Sequence, residues 1–243
     1  MPKTEKLCLL FDLDGTLTDS DHLHLEAFNA LLGEFGRSIS RADYTRNIMG
    51  ADNASICRYL FPNLPLAESL PLADRKEVMF RDMLAGLKPT AGLGALLDWA
   101  DARALPMAIV TNAPRANADL MIAALGLQAR IPALVIGPEL AHAKPHPLPY
   151  LTGLERLGGQ ACRALAFEDS RSGLRAAVDA GITAVGLTTS LGSGDILGAG
   201  AALAITDFSD ARLWALLESM SAPAVIAKQP AALPEPVASP PTF

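Results

Sequence analysis

Leu7-Cys-Leu-Leu-Phe-Asp-Leu-Asp-Gly-Thr16 decides the fold. Its apolar half is continuous rather than alternating, and it stops abruptly at two acids and a glycine. A short strand buried on both faces of a parallel sheet has this pattern. Similar runs recur at Met107–Val110, Leu134–Ile136, Ala164–Phe167 and Ala184–Leu187, with a weaker one at Ala202–Ile205. Amphipathic stretches lie among them at Gly92–Ala102, Arg115–Leu125, Pro147–Leu157 and Ser170–Ala180. The alternation predicts an α/β fold, a doubly wound parallel sheet of Rossmann-like form. Such sheets bind ligands beyond the carboxyl ends of their strands, so chemistry is sought just after each apolar run.

The alternation fails between Thr18 and Lys88, where helical patterns occur without a convincing strand. His22–Phe35 reads as one helix, closed by Gly36, and Ala73–Leu87 as another. A loop joining strand to helix usually takes about 2–6 residues. The stretch therefore reads as an inserted all-helical cap domain, residues 18–88, with hinges near Thr16–Ser20 and Lys88–Gly92. Residues 1–17 and 89–221 form the core, and the Pro- and Ala-rich residues 222–243 a flexible tail.

Half of the 243 residues are hydrophobic, so a sizeable core is expected. The net charge is −6, and the 20 Lys and Arg are scattered, which argues against nucleic acid or an anionic membrane as main partner. Cys8, Cys57 and Cys162 lie far apart and form no Cys-x-x-Cys pair. Leu7–Phe11 is shorter than the apolar segment of a secretory leader, and no run approaches the roughly 20 residues that span a bilayer. A cytoplasmic location is expected.

Four segments carry candidate chemistry. Asp12 and Asp14 can both face a ligand if the chain curls at Gly15, and a hard cation such as magnesium would offset their repulsion. The same residues also suit a plain acidic turn. Thr111-Asn112-Ala-Pro114 places a hydroxyl and a helix start where an anion can bind, or merely caps the helix. Lys144-Pro-His-Pro147 offers a point charge for phosphate and carboxylates, although lone lysines are commonly solvated. Glu168-Asp-Ser170 ends one strand and opens a helix, as a cap or as part of a magnesium site.

Their joint order closely resembles the haloacid dehalogenase superfamily, in the branch whose helical cap follows the first strand. Phe167-Glu-Asp-Ser-Arg-Ser-Gly-Leu-Arg-Ala-Ala-Val-Asp-Ala-Gly181 is particularly specific. Within that superfamily the chain looks like the phosphatases related to β-phosphoglucomutase and phosphoglycolate phosphatase. The resemblance implies a phosphatase acting on a small phosphorylated metabolite through an aspartyl phosphate. Asp12 would be the nucleophile and Asp14 the acid and base. Mg2+ would be held by Asp12, the Asp14 carbonyl and Asp169, with Glu168 as ligand or close behind. Thr111 and the Asn112 amide would hold phosphoryl oxygens, and Lys144 would offset their charge. His24 matches a cap histidine that faces the site in mutase-like members. Where the mutase grips a distal phosphate with arginine, this chain has Asp52 and Asn53, which favours hydrolysis, although Arg46, Arg58 or Arg115 could substitute. A β-phosphoglucomutase-like phosphomutase is the alternative reading, and a non-catalytic binding protein on the same fold the third.

Overall fold

The computed structural model describes residues 5–221. The region expected to be a tail therefore lies outside the described residues. Six parallel strands form one sheet: β1 (Cys8–Phe11), β2 (Met107–Thr111), β3 (Ala133–Ile136), β4 (Ala164–Glu168), β5 (Thr183–Leu187) and β6 (Leu203–Ile205). Their order is β3-β2-β1-β4-β5-β6. The chain switches sides of the sheet at β1, so the ends of β2, β1 and β4 lie side by side, the usual place for a ligand crevice.

Continuous hydrophobicity follows from burial on both faces. Leu9 and Phe11 of β1 point into one apolar layer, with Leu96 and Leu97 of α5 (Leu93–Ala102), Met121 of α6 (Arg115–Ala124) and Leu213 of α10 (Ala211–Ser221). Cys8 and Leu10 point into the other. There they join Tyr150 of α7 (Leu148–Leu157), Leu174 of α8 (Arg171–Asp179) and Ile196 of α9 (Ser193–Gly198). Phe11 stacks on Phe167 of the neighbouring strand, with ring centroids 4.9 Å apart.

Between β1 and β2, ahead of α5, lie four further helices: α1 (Asp21–Gly33), α2 (Arg41–Asn47), α3 (Asn53–Leu60) and α4 (Leu66–Asp82). They enclose their own apolar cluster, which includes Phe28, Leu31, Tyr44, Ile56 and Phe61. Ser40 and Asp43 form a reciprocal cap at the start of α2, and Asp52 caps α3 through the Ser55 amide. The two connectors to the sheet run together: the Thr18 hydroxyl donates to the Lys88 carbonyl and that of Thr90 to the Thr16 carbonyl, both at 2.7 Å.

α4 differs from the sequence expectation. It starts at Leu66, well before Ala73, and ends at Asp82. Pro71 lies inside it, where it removes one donor from the ladder. Ala73 and Phe80 of this helix are buried, so packing rather than intrinsic propensity holds it across that gap. Among the described residues, no helix is long and apolar enough to cross a membrane.

Candidate active site

Asp12 follows β1 directly and is 7% exposed. Its backbone amide donates to the Phe167 carbonyl at 2.9 Å, which extends the β1–β4 pairing by one residue and fixes the aspartate against β4. Gly15 then turns with φ +74°, and a Cβ there would lie 2.0 Å from Asp169 Oδ2. A side chain at that position would thus displace the Asp169 carboxylate, so glycine serves both the turn and the approach.

Lys144, in the loop between β3 and α7, reaches inward. Its ammonium donates to Asp12 Oδ1 at 2.6 Å, Glu168 Oε1 at 2.5 Å and the Val110 carbonyl at 2.6 Å. Burial alone would depress this amine, but the two carboxylates raise it above the ordinary lysine value. Lys144 is thus a fixed cation. Its loop is tied down by the Asn112 side chain, which accepts from the Lys144 amide and donates to the Lys144 carbonyl, both at 3.1 Å. Thr111 is buried, and its hydroxyl oxygen accepts from the Ala113 amide at 3.0 Å, leaving its proton for another acceptor.

Glu168 is fully buried with both oxygens in use. Oε1 accepts from Lys144 and from the Tyr150 hydroxyl at 2.7 Å; Oε2 accepts from the Ser170 hydroxyl at 3.2 Å. α8 accommodates it only because residue 173 is glycine, where a Cβ would meet the carboxylate at 1.9 Å. Glu168 therefore anchors Lys144 and the helix start, while its carboxylate remains within the same acidic cluster as Asp12 and Asp169. Asp169 faces the other way. The Ser190 hydroxyl makes a short contact with Asp169 Oδ2 and lies 2.8 Å from Asp21 Oδ2. One hydroxyl proton cannot satisfy two carboxylates.

This crowding is a test of metal fit. Burial raises the Asp12 carboxyl well above its ordinary value; Lys144 opposes the rise, and Glu168 and Asp14 add to it. Burial likewise raises Asp169, with Asp12, Asp21 and Glu168 adding like charge. Carboxylate oxygens of Asp12, Glu168 and Asp169 lie within 4.8 Å of one another. Buried acids short of positive charge, with oxygen donors only, suit a hard divalent cation. The residues fit magnesium, with Asp12 and Asp169 as side-chain donors and Glu168 as a third donor or close behind.

Asp14 meets a different set of partners. Its Oδ1 accepts from the Ser20 hydroxyl at 2.6 Å and lies 3.2 Å from His24 Nε2. Ser20 therefore spends its hydroxyl on Asp14 and makes no side-chain cap for α1. Lys76 Nζ, on α4, stands 3.2 Å from His24 Nδ1 and 2.8 Å from Glu77 Oε1. A protonated lysine can only donate, so His24 accepts at Nδ1 and carries its proton on Nε2, aimed at Asp14. His24 also stacks on Phe80 with centroids 3.7 Å apart. Its ring is thus committed to Asp14 rather than directed at a phosphate. Burial would raise the Asp14 carboxyl, but the His24 and Ser20 hydrogen bonds and the nearby Lys76 charge outweigh it, so it lies below the ordinary value.

Asp12, Asp14, Thr111, Asn112, Lys144, Asp169 and His24 all line one cavity. Lys76, Glu77, Asp21, Tyr150 and Ser190 were not singled out from sequence. Only a helical phase that turned Lys76 and Glu77 inward would have marked those two, and α4 starts well before the helix read from Ala73.

The chain's residues 9–187 match the model of the haloacid dehalogenase-like hydrolase family. A phosphorylated carbohydrates phosphatase of Thermotoga maritima is 30% identical over 195 residues, covering 78% of this chain and 88% of that protein. A phosphoglycolate phosphatase of Xylella fastidiosa is 34% identical over 175 residues, covering 72% and 76%. Among solved structures, a variant of CbbY from Rhodobacter sphaeroides in complex with xylulose-(1,5)bisphosphate is similar. It has a TM-score of 0.73 and 25% identity, covering 84% of this chain and 96% of that one.

Proposed function

The chain belongs to the haloacid dehalogenase-like hydrolases, and on that premise we propose that it is a magnesium-dependent phosphatase acting through an aspartyl phosphate on Asp12. The substrate is a small phosphorylated metabolite of the sugar-phosphate or phosphoglycolate type. One observation carries the reading: four segments distant in the chain, ending in Asp12, Thr111, Lys144 and Asp169, line the same cavity.

Magnesium bound by Asp12, Asp169 and the Asp14 carbonyl would hold the carboxylates ionised and offset charge on the phosphoryl group. Lys144 orients the Asp12 carboxylate, which attacks phosphorus as the ester P–O bond breaks. Thr111 donates its free hydroxyl proton to a phosphoryl oxygen, and the Asn112 amide does the same. Ser20 and His24 occupy Asp14 Oδ1, which leaves Oδ2 to take up a proton from solvent as the substrate binds and to hand it to the departing oxygen. Water then attacks the phosphorus of the aspartyl phosphate and passes a proton to Asp14, releasing phosphate and restoring Asp12. The helical insert, residues 18–88, acts as the cap, because it brings His24 and Lys76 to Asp14.

Hydrolysis is favoured over phosphoryl return to a sugar. Among the described residues, no arginine lines this cavity, its lysines Lys76 and Lys144 are already paired with carboxylates, and Arg115 is engaged with Glu139 at 2.5 Å. A distal phosphate therefore lacks a free cation there. The test is phosphate release from a panel of phosphorylated metabolites with and without magnesium, for the wild type and Asp12→Asn. Magnesium-dependent release that vanishes in the folded variant supports the reading; undiminished release by Asp12→Asn rejects it.

A further inference from the structure

Asn117 lies in the first turn of α6, the helix that follows the Thr111–Asn112 turn. Its side chain is buried, and it meets α4 rather than its own helix. Nδ2 donates to Glu77 Oε2 at 2.6 Å, while Oδ1 accepts from Arg81 Nη1 at 2.8 Å. A carboxylate can only accept and a guanidinium only donate, so the two halves of the amide have fixed places. Glu77 and Arg81 are four residues apart, one turn of α4, and the amide spans both.

Glu77 uses its second oxygen on Lys76, Lys76 contacts His24, and His24 contacts Asp14. The chain of contacts thus leaves the sheet at Asn117 and returns to it at Asp14. An apolar residue would serve a plain helix–helix contact without the cost of burying an amide. The amide instead fixes one distance and one orientation.

We propose that Asn117 is a positioning residue, holding Glu77, and through it Lys76 and His24, in register with the phosphate-binding turn so that Asp14 is set for proton transfer. This rests on the reading of Asp14 as proton donor. Hydrogen-bond arithmetic gives the test. In Asn117→Asp, two carboxylates face each other across the contact. In Glu77→Gln, an oxygen kept on Lys76 leaves an amide donor facing the Asn117 donor, and flipping either amide turns a donor toward Lys76 or Arg81. The double variant restores agreement, because the carboxylate introduced at position 117 accepts both from the amide introduced at position 77 and from Arg81.

Two readouts are taken on folded, full-length protein: kcat and KM for a phosphate ester with a poor leaving group, and the imidazole 15N–1H correlations of the four histidines. For wild type, His24 is expected to show an unprotonated, hydrogen-bonded Nδ1 and a protonated Nε2. Asn117→Asp is expected to lose that signature and about 10²-fold in kcat, the scale set by a misplacement near 1 Å, with a much smaller change in KM. The double variant should recover the signature and at least about tenfold in kcat over the product of the single effects. If Asn117→Asp does not fold, Asn117→Leu removes both hydrogen bonds without adding charge and should lose the same signature. An unchanged His24 signature in a variant of lowered kcat overturns the proposal, as does a double variant no better than the singles combined. If the wild type hydrolyses no phosphate ester, the phosphatase reading fails, while the His24 readout still decides whether Asn117 sets that ring.

Discussion

Lys144 and Lys76 are buried to nearly the same degree, with 2% and 3% of their side chains exposed, yet they serve the two aspartates of one turn differently. Lys144 grips Asp12 directly and shares its charge with Glu168, and every partner sits at the end of a strand or in a loop tied to one. Lys76 reaches Asp14 only through the His24 ring, from a helix outside the sheet. The electrostatic outcomes are opposite. Asp12 is held above the ordinary carboxylate value, chiefly by burial, whereas Asp14 lies below it because its hydrogen bonds and the Lys76 charge overcome burial. Backbone geometry fixes the first arrangement. The second depends on side-chain packing, with Lys76 over the Phe28 ring at 4.3 Å and His24 on Phe80 at 3.7 Å.

The contrast breaks most severely at Lys144. Lys144→Met leaves Asp12 and Glu168 facing each other without a cation, and turnover should fall to background. Stability should drop by about 3–5 kcal/mol, the usual cost of removing one partner from a buried charge pair. Denaturant titration measures this, and a fall under about 1 kcal/mol, the scale of an exposed pair, would show that the Lys144 charge is dispensable to the core.

Asp14→Asn tests the other half. With an alkyl phosphate the loss should be about 10²–10⁴-fold, the range of general acid–base help. With p-nitrophenyl phosphate the leaving group needs no proton, so the first step should survive and hydrolysis of the intermediate should stall. Stopped-flow absorbance should then show a burst of nitrophenolate equal to the enzyme concentration. Equal losses for both substrates, without a burst, would remove the acid role from Asp14.

The smallest effect is a pH dependence shared by the two raised carboxyls. Asp12 and Asp169 have folded values above their unfolded value of about 3.9. Between those values the folded state binds more protons, so metal-free stability should fall as pH rises through that window. The slope is at most about 1.4 kcal/mol per pH unit for each group. Thermal melts with EDTA should show this decline and melts with magnesium should flatten it, because the cation favours the ionised forms. Identical slopes would argue that these carboxyls do not share a divalent cation.

The same contrast explains what was legible in sequence. Asp12, Thr111 and Asp169 stand at the ends of unbroken apolar runs, and a buried parallel strand leaves no choice about where its end lies. The strand bounds agree within about one residue for that reason. Glu168 was visible as an acid, but its partners Tyr150 and Lys144 come from other segments, so its anchoring role was not. Lys76 and Glu77 sit in a helix whose charges resemble a solvated face, and α4 starts at Leu66, well before the helix read from Ala73. Their burial follows from three-dimensional packing against Phe28 and His24 and from Asn117, which no local pattern records. Ser190 and Asp21 likewise meet Asp169 only after the chain folds.

The most direct test of the central claim is to quench the burst reaction of Asp14→Asn in acid and map the phosphoryl group by peptide mass spectrometry. One phosphoryl group per enzyme is expected, on the peptide containing Asp12 and on that side chain. Product burst with an unmodified Asp12, or with the phosphoryl group on another residue, would contradict that claim.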